Sequence, residues 1–352
     1  MTSKRDYGLD LLKITCCFMV IMIHVTDEYL TNDVIGTDFL NSFEIGIILN
    51  SASRASVPLF LMITGSFLLD FGNEYNKRKA TRYIRRVIKA FVCGTILYSI
   101  VEIVMGVLNV GLHGIGWGRI LKDLITGPYH FWYLYLITGL YLITPILREI
   151  AKKDDILELY LLLSFTFSIV LPTICSFSAL SKLELLINRV HLDFVTGYQF
   201  YFLFGYWLKK NRFQMKNKIG GILLYLSSVG ICSILTILCN KESGRIVNEC
   251  CLDYFFITTF LEAFSLFSLF SGVSICNGIK NIIKNISEAT FGIYVLHVLF
   301  IKEYFGIHIV NWNVFGQSRL IVQSIIIFFV CLAAQLLYST ISINLKQKVR
   351  KE

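Results

Sequence analysis

The chain has 352 residues, of which 55% are hydrophobic and 16% charged, with a net charge of +9 and a mean hydropathy of +0.64. A soluble domain carries roughly 25% charged residues, so the composition excludes an ordinary soluble protein and points to a polytopic membrane protein. The positive surplus sits in short clusters beside apolar stretches, which excludes a nucleic-acid surface and fits loops facing an anionic leaflet.

A membrane span needs about 20 apolar residues. Ten stretches are candidates, near 9–26, 45–71, 87–111, 131–150, 156–176, 195–208, 219–239, 253–276, 289–303 and 319–344. The sixth and ninth are short and read as tilted, interrupted or partly buried helices. The stretch from Leu9 to Val25 lacks a small-residue cleavage site and reads as a first span, not a signal peptide. No loop is long enough for a folded soluble domain, and no repeat or linker divides the chain. The expected architecture is therefore all-α: one integral membrane domain over 1–352 with about ten transmembrane helices.

The loops alternate in Lys and Arg content. Segments 1–8, 77–89, 148–155, 209–218, 280–284 and 346–352 hold 23 of the 33. The loop 27–44 has none and carries Asp27, Glu28, Asp33, Asp38 and Glu44. The positive-inside rule then places both termini in the cytoplasm. The expected location is the plasma (inner) membrane, multi-pass.

Most of the cysteines, such as Cys16, Cys17, Cys93, Cys232, Cys276 and Cys331, lie inside the spans as small buried thiols. No C-x-x-C pair occurs, so no metal is expected. Cys239, Cys250 and Cys251 flank one outer loop, where a disulfide is possible.

Six ionisable residues lie within the spans: Lys13, His24, Arg54, Glu102, Glu262 and His297. Each costs roughly 2.5–3.5 kcal/mol at the bilayer centre, so such residues usually face a protein interior or cavity. Lys13 and His24 are eleven residues apart, which on a helix is roughly 16 Å of rise and about 20° of rotation. Both occupy one stripe, the cation near the cytoplasmic end and the imidazole near the outer end. That pattern suits a molecule that enters from the cytoplasm and reacts near the far side. Pro58 removes the helical hydrogen bond to the Arg54 carbonyl, which opens the helix there and makes Arg54 a cavity residue.

These residues carry a resemblance. Lys13 to His24 is similar to the R/K-x10-H signature of the membrane acyltransferase-3 family. Ser53 to Ser66, SRASVPLFLMITGS, resembles its S-R-x-x-V-P-L-F-F-x-x-S-G-Y element, with Thr64-Gly65-Ser66 in place of S-G-Y. Phe131 to Arg148 resembles its W-F-L-x-x-L-x-x-Y-x-x-x-P segment, and FGIYVLH from Phe291 to His297 its G-I-Y-L-x-H element. Arg82 and Arg85 match a cytoplasmic R-x-x-R motif. Lysine at 13 keeps the charge of the commoner arginine but not its fork. The absence of a fused hydrolase-like domain resembles the stand-alone members.

The resemblance implies transfer of an acyl group, commonly acetyl from acetyl-CoA, to a hydroxyl of an extracytoplasmic or lipid-linked carbohydrate. In that frame His24 is the base that takes the hydroxyl proton, with direct transfer and an acyl-enzyme intermediate as the two mechanisms, and Lys13 lies beside the path of the donor. Arg78, Arg82, Arg85 and Lys89 share one helical face suited to nucleotide phosphates, or to lipid anchoring. Glu102 or Glu262 orients the imidazole, or pairs with another buried charge. Arg54 stabilises oxyanion charge or holds the acceptor, or else forms a structural salt bridge to Glu102 or Glu262. Trp132, Tyr133 and Tyr135 form a sugar-stacking surface or an aromatic belt. His297 packs or hydrogen-bonds first, and His113, His130, His191 and His308 receive no role. The expected partners are the bilayer, acyl-CoA and a carbohydrate acceptor, with no nucleic acid. The competing functions are a transporter or flippase of a glycolipid or small anion and, below it, a glycan polymerase.

Overall fold

The computed structural model describes residues 5–32, 39–71, 77–110, 117–176, 189–243, 250–301 and 318–349. Every regular element among them is helical: α1 (Tyr7–Asn32), α2 (Phe39–Ser53), α3 (Ser56–Leu68), α4 (Lys77–Val110), α5 (Trp117–Thr126), α6 (Trp132–Lys152), α7 (Asp154–Phe165), α8 (Leu171–Cys175), α9 (Gln199–Lys210), α10 (Lys218–Ser243), α11 (Ile257–Phe270), α12 (Asn277–Ile301) and α13 (Arg319–Val349). Asp33, Asp38, His113 and His308 lie outside the described residues, as does the Cys250 side chain needed to judge the outer-loop disulfide.

Seven helical stretches among the described residues are long and apolar enough to cross a membrane: Tyr7–Leu30, Phe43–Leu68, Ala80–Leu108, Ile120–Lys152, Asp154–Cys175, Lys218–Asn240 and Arg319–Ser342. The chain is a multi-pass, all-helical membrane protein. The sequence reading expects about ten spans, and the three that fall short do so for physical reasons. The stretch near 195–208 becomes the 12-residue α9, and that near 253–276 becomes the 14-residue α11. At 1.5 Å per residue neither crosses a core of about 30 Å unaided. The stretch near 289–303 is the second half of α12, whose first half carries Lys280, Lys284 and Glu288.

The helices gather into two compact units, residues 1–74 with 144–288 and residues 75–143 with 289–352. In the first, α3 and α9 cross at very close range. A Cβ on Gly65 would lie 1.8 Å from the Phe202 carbonyl oxygen, and one on Gly205 would lie 2.2 Å from that of Met62. Lipid tails are as apolar as leucine, so helices in a membrane gain adhesion from such small-residue contacts. This explains the glycine of the Thr64-Gly65-Ser66 element. The C-terminal carbonyls of α3 are capped by basic side chains: Arg148 donates to the Leu68 carbonyl at 2.5 Å, and Lys209 to that of Ser66 at 3.1 Å.

Between α7 and α8 the chain widens into a π turn, Thr166–Val170, just before Pro172. The wider turn accommodates a proline ring that an α-helix interior would reject. Thr173 caps a distant element, its hydroxyl accepting the Ile257 N–H at 3.0 Å at the start of α11. In the second unit Gly94 of α4 leaves room for Phe131 and Val295, and the Arg86 guanidinium lies 5.0 Å above the Phe291 ring.

Candidate active site

Helix α1 runs unbroken through Lys13 and His24, so both stay on its one stripe. Near the N-terminal end of α1, Lys13 donates to the Ser287 carbonyl at 3.0 Å. The Ser287 hydroxyl donates to Asp10 at 2.7 Å, and the Arg5 guanidinium donates to the same carboxylate at 2.5 Å. Lys13 is thus held by α12 inside a charged collar. His24 is half-buried, two turns from the buried Cys16–Cys17 pair and one turn before Asp27.

Asp27 belongs to a network that ties α1 to α2. Asn50, fully buried, donates through Nδ2 to the Thr26 hydroxyl at 2.8 Å and to Asp27 Oδ1 at 2.6 Å. Its Oδ1 accepts from Arg54 Nε at 2.6 Å. Arg54 Nη2 lies 3.6 Å from Asp27 Oδ1. The amide therefore bridges acid and base, and the guanidinium is only 7% exposed.

Arg54 stands at a break in the backbone. Helix α2 ends at Ser53, Arg54 and Ala55 form a turn, and α3 starts at Ser56. The Arg54 N–H bonds to Ser51 three residues back, at 3.1 Å, and the Leu59 N–H returns to Ala55 at 2.9 Å. This is the place where the missing N–H of Pro58 opens the ladder. The Tyr254 hydroxyl hydrogen-bonds Arg54 as well, and the Tyr254 carbonyl accepts from Tyr201 at 2.5 Å.

Glu262, mid-way along α11, is fully buried, and Arg54 acts on it electrostatically. Neighbouring α10 supplies Cys232, whose thiol donates to the Cys251 carbonyl at 3.1 Å, and Tyr225, which donates to the Ala52 carbonyl at 2.7 Å.

The second unit holds the remaining candidates. Arg78, Arg82, Arg85 and Lys89 are all exposed along α4. Glu102 is half-buried on the same helix. Trp132 is 36% and Tyr135 54% exposed, and Tyr135 donates to the Thr126 carbonyl at 3.1 Å. His297 is fully buried and bonded through Nδ1 to the Tyr294 carbonyl at 2.6 Å. A carbonyl accepts only, so that nitrogen carries the proton. His130 is buried beside it, ring centroids 5.3 Å apart. Tyr98 reaches His130 Nε2 at 3.3 Å and donates to the Val295 carbonyl at 3.1 Å, while Tyr294 donates to the His130 carbonyl. His191 is an exposed loop residue near Asp193.

A family model described as an acyltransferase domain matches residues 6–339. The chain belongs to this acyltransferase family. An amino-acid racemase of Enterococcus faecalis is 28% identical over 159 residues, covering 43% of this chain and 21% of the racemase. The matched part is thus a minor share of that relative's length. No solved structure matches the chain.

The chain carries two polar clusters, one in each unit. In the first, Lys13, His24, Arg54 and Glu262 lie on α1, the α2–α3 break and α11, with Asp27 and Asn50 joining α1 to that break. Reading by sequence passes over Asp27 as a loop acid and over Asn50 altogether. The signal that would find them is spacing: Asp27 follows His24 at i+3, and Asn50 precedes Arg54 at i−4, each one turn along a helix. In the second unit His297 has a buried histidine neighbour, His130, which opens the Phe131–Arg148 segment but has no helical-period link to His297. Among the described residues no group of three or more His, Cys, Asp or Glu is placed to hold a metal ion.

Proposed function

We propose that this acyltransferase moves an acyl group, acetyl in the first instance, from cytoplasmic acyl-CoA to a hydroxyl of an extracytoplasmic or lipid-linked carbohydrate, and that it works in the plasma (inner) membrane. The observation that most supports this reading is His24, half-buried on α1, followed one turn on by Asp27, which Asn50 holds at 2.6 Å beside Arg54. A neutral imidazole near physiological pH accepts a proton readily, and a nearby carboxylate stabilises the imidazolium that results.

His24 takes the proton of the acceptor hydroxyl as its oxygen attacks the thioester carbonyl. Arg54 stabilises the negative charge that develops on the carbonyl oxygen. The C–S bond then breaks, the CoA thiolate leaves, and the imidazolium returns its proton to that sulfur. The product is an ester and free CoA, with no net change in protons. Lys13, anchored at the cytoplasmic end of the same stripe, attracts the donor. We assign the donor phosphates to Arg82 and Arg85, whose exposed guanidinium groups can bind them as forks. Trp132 and Tyr135 offer exposed rings for a sugar face, and Glu102 and His297 offer hydrogen bonds to acceptor hydroxyls.

The test is mass spectrometry of surface glycans from cells with and without the chain. The proposal expects glycans heavier by one acyl group only when the chain is present. Identical glycan masses in the two strains refute it.

A further inference from the structure

Glu262 is fully buried, and neither of its carboxylate oxygens has a hydrogen-bond partner among the described residues. The Thr259 hydroxyl, fully buried, shares that condition, while those of Ser51 and Thr258, at most 3% exposed, reach only the Cys232 thiol, a weak partner. Thr258 and Thr259 precede Glu262 by four and three residues on α11 and so lie on its face of the helix. Ser51 of α2 and Thr258 both face the Cys232 thiol of α10, and Glu262 acts on that same thiol. Helices α2 and α11 thus bring one carboxylate and a set of hydroxyls together beside the thiol of α10. Each buried polar group left unmet costs about 1–3 kcal/mol, so helices that keep several together are arranged for a polar guest.

Charge counting narrows the guest. Asp27 and Glu262 are two acids, and Arg54 ion-pairs with Asp27 at 3.6 Å, while neither Glu262 oxygen has a hydrogen-bond partner among the described residues. The Glu262 carboxyl is thus the acid of this cluster that a cationic donor would complete. We propose that the Glu262 site receives a protonated primary amine belonging to the acceptor, so that the acceptor is an amine-bearing alcohol. An ammonium has three N–H donors and no acceptor. The Glu262 carboxylate takes one or two of them, and the hydroxyl oxygens of Ser51, Thr258 and Thr259 take the rest. The word acceptor rests on the proposed function; the binding itself does not need acyl-CoA.

The experiment is thermal unfolding of the purified chain in detergent at pH 7 without any acyl-CoA. The probes are ethanolamine against ethylene glycol, glucosamine against glucose, and sodium chloride at matched ionic strength. Saturable stabilisation by the two amines, absent with the polyols and with the salt, is expected. In Glu262→Gln the amine concentration for half the effect rises at least ~10-fold, because the ion pair is lost. Should that variant not fold, Thr259→Val removes one acceptor, and a rise of ~3–10-fold is expected. Equal shifts with amines and polyols, a shift shared by sodium chloride, or no shift with amines in the wild-type chain each overturn the amine site. Loss of the amine effect with acyl transfer intact leaves the proposed function standing. Amine binding by a chain that transfers no acyl group refutes the function alone.

Discussion

Replacing Arg54 by Met removes the cation from a site where two acids converge. Its guanidinium is 7% exposed and donates to Asn50 at 2.6 Å. A hydrogen bond to a charged group contributes roughly 1.5–3 kcal/mol, and breaking a buried ion pair by deleting one partner costs roughly 3–5 kcal/mol. The Asp27 side chain is 36% exposed, so water screens that half of the loss. Glu262, fully buried, has no such relief. Glu262 is not ion-paired with Arg54 but feels its charge, so part of the penalty runs through Glu262, and Glu262→Gln should relieve that part. The assay is a double-mutant cycle of unfolding free energies in detergent. Arg54→Met is expected to cost about 3–5 kcal/mol in the wild-type chain and ~1–2 kcal/mol less in the Glu262→Gln background, a coupling that independent sites do not show. Coupling below about 0.5 kcal/mol refutes the electrostatic link between the two residues.

Three further outcomes follow from the same geometry. Gly65→Val or Gly205→Val forces α3 and α9 apart, since each new Cβ would sit within 2.2 Å of a facing backbone oxygen; a loss of ~1–3 kcal/mol or more, up to failure to fold, is expected by thermal unfolding. Arg82→Ala and Arg85→Ala, exposed and unneeded for packing, leave the unfolding midpoint unchanged but raise the KM for acetyl-CoA ~10-fold each, one charged hydrogen bond apiece. Lys13→Met lowers acyl transfer ~10–100-fold while Lys13→Arg retains most of it, because arginine keeps a donor and charge for the Ser287 carbonyl.

How far the sequence reaches can be judged residue by residue. The all-helical, multi-pass architecture follows from hydropathy alone, because a bilayer allows few other ways to satisfy a backbone. The break at Arg54–Ala55 follows from Pro58, a local cause with a local effect. The tight α3–α9 crossing does not, because glycine in a span has several uses and its partner, Phe202, is distant in sequence. The short lengths of α9 and α11 are equally hidden: their flanks are apolar enough to look like spans, and the turns that end them depend on packing such as the Thr173 cap. Within the site, Lys13 and His24 are legible because they share one helix. The Asp27–Asn50–Arg54 network joins two helices, and no single-helix period predicts which acid an arginine will find. Sequence reasoning offered Glu102 and Glu262 as its partners; Asp27 is the ion pair, and Glu262 acts through the electrostatic field.

The central claim is that His24 is the base in acyl transfer. Its most direct test expresses wild-type and His24→Gln chains at equal membrane levels in cells lacking the endogenous protein, and counts acyl groups on their surface glycans by mass spectrometry. Glutamine keeps hydrogen bonding but cannot take up a proton at neutral pH, so the account predicts acylated glycans with the wild type and none with the variant. Wild-type acylation by His24→Gln would contradict it.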